Sequence, residues 1–205
     1  MLHGRVGNMI YYSYNGKTYA RRVSVTGEKK RSPRSEKQRA SSERFYAMQM
    51  LYKWFREKVS PDIWRLAAKR AGMMPHNLFH RANHGCIDGE GRMADPMGFR
   101  FSDGELLLPW EIAVESLGDG RFRASWVEER DGVTAAATDR LLVGVLYDTS
   151  PMSVRLVPGV SGTRGDGQGE FTLDPGQGQA AHVYLFFERE DGTAYSPSRC
   201  FRVTW

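Results

Sequence analysis

His76, His80 and His84 recur at four-residue intervals, with Cys86 and Asp88 close behind. On one continuous helix the three imidazoles would share a face, and imidazole, thiolate and carboxylate are the donors that transition metals accept. Zinc sites, however, draw ligands from at least two chain segments, and Asn83-His84-Gly85 reads as a helix end placed before the third histidine. The reading is therefore a polar helix terminus with no metal and no cofactor, His76, His80 and His84 being the candidates if a metal binds. His3 and His182 read as surface residues. Asp88, Glu90 and Asp95 fail the calcium-loop pattern, which needs alternating oxygen donors, a glycine at the sixth position and a closing glutamate at the twelfth. They read as a connecting loop.

The second constellation is cationic. Lys29, Lys30, Arg31, Arg34, Lys37 and Arg39 follow Lys17, Arg21 and Arg22, and Tyr11, Tyr12, Tyr14 and Tyr19 border them. Clustered cations beside aromatic rings can hold phosphates and stack bases. Glu28, Glu36 and Glu43 dilute the run, so a solvated helix face or a strip that docks on an acidic protein surface explains it too. The bias reaches well beyond this stretch: residues 1–81 hold 18 Lys+Arg against 5 Asp+Glu, whereas residues 82–205 hold 11 against 19. A basic front joined to an acidic back points to contact with a polyanion or with an acidic neighbouring subunit.

Catalytic signatures are missing. The sequence has no Gly-x-Ser-x-Gly elbow, no His-Glu-x-x-His pair and no Cys-x-x-Cys pair, so an enzyme is not expected. Gly162, Gly165, Gly167 and Gly169 lack the Lys-Ser/Thr of a phosphate loop and read as a flexible turn. Arg164-Gly165-Asp166 is the tripeptide that adhesion receptors read, and is taken as chance in an unexported chain. Cys86 and Cys200 are too far apart and too few to suggest a disulfide framework. With no secretory leader and no membrane-length apolar run, the chain is expected to be soluble, not secreted by a signal peptide, and cytoplasmic or part of a virion, without membrane contact.

The elements that must position these residues divide by texture. Two β-rich runs flank Asn15-Gly16, a type I′ hairpin signal. Three-to-four spacing of Phe45, Met48, Leu51/Tyr52, Phe55 and Val59 predicts an amphipathic helix over 35–59, and Ser60-Pro61-Asp62 opens a second over 61–71 that stops at Gly72. A third begins at Pro75. Trp54, Phe55, Trp64, Leu66 and Phe79 are the expected helical core. From Gly98 onward short apolar runs alternate with turn signals at Asp103-Gly104, Gly118-Asp119-Gly120, Asp131-Gly132 and Asp191-Gly192. Strands are predicted over 105–108, 112–117, 121–127, 140–147, 153–157, 170–173, 182–188 and 198–203. The expected class is α+β: a basic N-terminal β-hairpin and helical domain with linker, 1–97, followed by a C-terminal antiparallel β-sandwich of immunoglobulin or fibronectin type III size, 98–205.

Gly4-Arg5-Val6-Gly7-Asn8, Tyr11-Tyr12, Asn15-Gly16-Lys17, Ala20-Arg21-Arg22, Gln38 and Arg44-Phe45 occur in an order that resembles an uncharacterised family of Bacteroides-type bacteria and their phages and prophages. The resemblance covers the first 60 residues, and Phe101-Ser102-Asp103-Gly104-Glu105-Leu106 before a β-rich tail is similar too. It brings no catalytic residues. Related hairpin-plus-helix arrangements lie among phage structural genes, which implies a virion component of the head, connector or tail. The Lys/Arg-rich stretch 29–39 departs from the family's expected Pro and Asn and leaves nucleic acid open. Three functions are thus expected in order: a non-enzymatic assembly protein holding neighbouring subunits, as a homo-oligomer or in a virion, through its basic arm; a nucleic-acid-binding protein using 17–44; and a sandwich module that binds sugar or protein ligands by its end loops, the last on fold analogy alone.

Overall fold

Ser35 opens α1 (Glu36–Lys58) with a capping box: its hydroxyl accepts from the Gln38 amide at 3.3 Å while the Gln38 side chain accepts from the Ser35 amide at 3.1 Å. The computed structural model describes residues 3–14, 16–23, 33–127 and 134–205. Met48, Leu51 and Phe55 bury one stripe of α1. In the next turn the Ser60 hydroxyl accepts from the Asp62 amide at 3.0 Å and starts α2 (Asp62–Arg70), which buries Ile63, Trp64, Ala67 and Ala68. Gly72, at φ +63°, makes the left-handed exit the sequence predicts. Pro75 occupies the first turn of α3 (Pro75–Asn83), which contributes Leu78 and Phe79 to the core. Trp54 and Phe45 depart from expectation. They are 39% and 56% exposed, because the buried stripe of α1 is narrower than its aromatic content suggests.

The chain divides into two compact units, 1–34 and 35–205. The first holds an antiparallel sheet in the order β1 (Gly4–Val6), β2 (Met9–Tyr14), β3 (Lys17–Arg22). The predicted hairpin is there, with Tyr14 facing Lys17 across a two-residue turn and Gly16 at φ +74°. Asn15 lies outside the described residues. A third strand, β1, is added by Gly7-Asn8, which turns the chain back so that Val6 pairs with Met9.

In the second unit two antiparallel sheets follow the helices. One is ordered β4 (Trp110–Gly118), β5 (Arg121–Val127), β8 (Gln168–Thr172); the other is β10 (Arg199–Thr204), β9 (Ala180–Glu188), β6 (Arg140–Tyr147), β7 (Arg155–Leu156). Asp119 and Gly120, both at positive φ, close the β4–β5 hairpin in a two-residue turn. The turn predicted at Asp131-Gly132 lies outside the described residues. Two strand predictions change: 105–108 is an irregular segment tied to Tyr195 by the Leu106 amide, and 153–157 shrinks to the two residues of β7.

The middle sheet is covered on both sides, which is why β6 and β9 are almost continuously buried instead of alternating. Val143, Val145, Val183, Leu185 and Phe187 face the three-stranded sheet, meeting Phe122, Trp126 and Phe171. Leu146, Tyr184 and Phe186 face the helices, in one cluster with Phe55, Trp64, Phe79 and Phe101. Composition changes at 97/98, but contacts divide at 34/35, because Phe99 and Phe101 enter the same cluster as the helical aromatics. Gly144 makes this approach possible. A Cβ there would lie 2.5 Å from the Phe101 ring, so Gly144→Ala is expected to cost about 1–3 kcal/mol of stability in urea denaturation.

Candidate functional site

Register sorts the first unit's side chains into two faces, because directly paired residues project the same way and neighbours alternate. Arg5 pairs with Ile10 and Ile10 with Arg21; Tyr12 pairs with Tyr19 and Tyr14 with Lys17. One face therefore carries three cations and three tyrosines around Ile10. The other carries Val6, Met9, Tyr11, Ala20 and Arg22. Arg5, Lys17, Arg21 and Arg22 are exposed, as are Tyr12, Tyr14 and Tyr19. The Tyr12 and Tyr19 rings stack at 5.6 Å between centroids with 21° between planes.

Residues 3–23 contain no Asp or Glu, and among the described residues none of Lys17, Arg21, Arg22, Lys37 and Arg39 pairs with a carboxylate. Like charges left uncompensated on one small face raise its potential and attract anions in a salt-dependent way. Of the other expected cations, Lys37 and Arg39 lie exposed in the first turns of α1, in the second unit, and Arg34 is exposed at the end of the first. Lys29, Lys30 and Arg31 lie outside the described residues. Sequence reasoning missed Arg5 as a member of the site. Its signal was the glycine on either side of Arg5-Val6, which permits a third strand short enough to look like a leader into the hairpin.

The histidines converge on one wall of a cavity. α3 ends at Asn83 and a 3-10 turn over His84–Cys86 continues it, so His80 and His84 remain neighbours, their rings stacked at 5.8 Å and only 9° from parallel. Parallel rings in a stack aim their nitrogen lone pairs side by side and not at one point, which a shared ion requires. Among the described residues no group of three His, Cys, Asp or Glu has ligand geometry. His76, His80 and His84 instead line one wall of an open cavity of about 550 Å³, with Asn77 and Arg81 beside them and Phe45 and Gln49 of α1 opposite.

The remaining candidates are engaged structurally. Asp88 accepts from the amides of Glu90 and Arg92 and holds the Arg92 side chain, which keeps its carboxyl below the usual range. Asp95 accepts from the Gly98 amide. Arg164 is 2% exposed and paired with buried Asp139, so the Arg-Gly-Asp tripeptide does not present its arginine. Burial pushes the Cys86 and Cys200 thiols up to about 11, leaving both protonated at neutral pH and poor nucleophiles.

Burial also lowers the affinity of His182 for a proton, a cost that Asp148 at 3.3 Å only partly offsets; His80 is lowered by burial and then by His84. The unfolded chain then binds these protons more readily than the fold. Stability should fall as pH drops through the ordinary histidine range, about 6.5, toward the lowered values. Thermal melts between about pH 7.5 and pH 5 should show that decline, and His182→Gln should flatten it.

Among the described residues no helix is long and apolar enough to cross a membrane. Comparison of the chain with family models, with curated proteins and with solved structures finds no match.

Proposed function

We propose that the protein is a non-enzymatic assembly component, of the phage or prophage particle kind that the amino-terminal resemblance implies, which holds an anionic neighbour with Arg5, Lys17 and Arg21 and the tyrosines among them. One observation carries this reading: no described residue of the first unit is buried. A three-stranded sheet gains independent stability only from a covered apolar face, so this one draws its stability from whatever it lies on. Tyrosine and arginine are also the side chains that interfaces favour. The nearest acidic surface in composition is the chain's own back half, with 19 Asp+Glu against 11 Lys+Arg over 82–205. A basic face of one copy meeting an acidic face of the next is a heterologous contact, which closes into a ring where the rotation permits.

The β4-β5-β8 sheet facing β10-β9-β6-β7 supports a fibronectin type III-like module for the outward decoration of such an assembly. A role for its end loops in binding sugars or proteins would rest on fold analogy alone.

Light scattering behind size-exclusion chromatography at low salt is expected to give oligomers that dissociate as salt rises, and the triple variant Arg5→Glu, Lys17→Glu, Arg21→Glu should be monomeric throughout. A wild-type monomer at high concentration and low salt that also ignores particle proteins would remove the reading.

Nucleic acid is the second reading, favoured by the stacked Tyr12–Tyr19 pair beside three cations. Aromatic faces accept bases without regard to sequence, and phosphate contacts release counterions. Gel shifts should then show affinity falling steeply with salt. No shift even at low salt leaves only the protein partner.

A further inference from the structure

We propose that the cavity between α1 and α3 binds a phosphate monoester carrying an aromatic ring, of mononucleotide size. This site lies in the second unit and does not rest on the arm's role. Its lining holds no carboxylate. The charged and titratable groups facing it are His76, His80, Arg81 and His84, all from α3 and the turn that follows; α1 presents only Phe45 and Gln49. A guanidinium and up to three imidazolium rings form charge-assisted hydrogen bonds to phosphoryl oxygens, and nothing in the wall repels the anion.

The stacked imidazoles make the site sensitive to pH. His84 lies 3.4 Å from the Arg81 carbonyl through Nδ1, and because a carbonyl only accepts, Nδ1 donates there. Two cations stacked at 5.8 Å oppose one another, and a burial cost on His80 adds to this. A phosphate anion before the ring edges reduces that opposition. Binding therefore takes up protons, strengthens as pH falls through the histidine range and fades above it.

The ring-bearing part of the ligand has its own receptor. Phe45 is 56% exposed, and its ring stands 5.6 Å from that of His80 with 53° between the planes, so it offers a planar base an aromatic face of its own beside the imidazoles. The Gln49 and Asn77 amides each offer both a donor and an acceptor to a base edge. About 550 Å³ is within the range of small-molecule sites.

The test is a titration of the full-length protein, isotope-labelled, with adenosine monophosphate and separately with inorganic phosphate, followed by the imidazole resonances at about pH 5.5 and about pH 8. Expected are shifts of the His80 and His84 resonances with both probes at the lower pH, affinity for the nucleotide about 10-fold above that for phosphate, and weakening by about 10-fold at the higher pH. His80→Gln with His84→Gln should abolish both responses; Phe45→Ala should bring the nucleotide down to the level of phosphate. A short oligonucleotide that binds while the mononucleotide does not would place the phosphate in a polymer backbone and overturn the mononucleotide assignment. Unmoved His80 and His84 resonances in the wild-type protein at about 20 mM of either small probe would overturn the site itself.

Discussion

Arg164→Leu is expected to lower the unfolding free energy by about 3–5 kcal/mol in urea denaturation, the largest effect of any polar substitution discussed. The side chains of Arg164 and Asp139 are 3% and 0% exposed, with Nε 3.2 Å from Oδ2. The guanidinium also donates to the Leu107 carbonyl at 2.7 Å and sits 4.5 Å over the Phe187 ring, while the Arg164 carbonyl accepts from the Trp126 indole at 2.9 Å. Removing the arginine strands a carboxylate among apolar residues, and its Oδ1 already has no hydrogen-bond partner among the described residues. Removing both charges should be far milder: Arg164→Leu with Asp139→Leu is expected to recover much of the loss, because neither ion is then left unpaired. Asp166→Ala, at the exposed end of the tripeptide, breaks only a local cap to Thr163 and should cost about 1 kcal/mol. Equal losses for Arg164→Leu and Asp166→Ala would show that the pair is not buried as described.

Phe101→Ala should cost a further about 3–5 kcal/mol, and the manner of unfolding matters as much as the size. Phe101 is 0% exposed. Its ring meets Phe55 of α1 at 5.0 Å and Tyr184 and Phe186 of β9 at 5.4 and 5.8 Å, and its amide donates to the Ser198 hydroxyl at 2.9 Å. Tyr184 in turn donates its hydroxyl to the Pro96 carbonyl at 2.6 Å, closing the layer from the loop side. One side chain thus joins helices to sheet. Helical circular dichroism and tryptophan fluorescence should fall together in the variant, at a lower midpoint than in the wild type. Separate transitions, with the helices melting first and the sheets unaffected, would mean that the two layers are independent domains divided near 97/98.

Local signals carried most of the elements. Ser35 with Gln38, Ser60 before Pro61, Gly72, Pro75 and Asp119-Gly120 each fix a backbone conformation by their own chemistry, and helix and turn boundaries fall within a residue or two of where these stand. What escaped was set by tertiary contact. A run such as 105–108 has strand composition yet finds no ladder partner, its Leu106 amide bonding Tyr195 and its Leu107 carbonyl bonding Arg164, and no periodicity in β6 or β9 reveals that a second layer covers the far face. The boundary at 34/35 was hidden for the same reason: the step in composition at 97/98 is conspicuous, whereas packing between Phe55, Phe101 and Tyr184 is not written in either stretch alone. The basic face was half legible. The tyrosines bordering Lys17, Arg21 and Arg22 stand out in the sequence, but Arg5 joins them only through the pairing of β1 with β2. The histidine spacing reads as a polar helix end, and the ring stacking that makes it a cavity wall depends on the 3-10 turn after Asn83.

The proposed role rests on a sheet that borrows its stability from an anionic surface. Amide hydrogen exchange across 4–22 in the full-length protein measures this directly, in dilute high-salt solution and again at low salt and high concentration or with an oligonucleotide added. Protection of β2 and β3 that is slight in the first condition and rises by about 10-fold or more in the second, with β6 and β9 unchanged, is the predicted result. Exchange in 4–22 as slow as in β6 and β9 for a dilute monomer at high salt would contradict it.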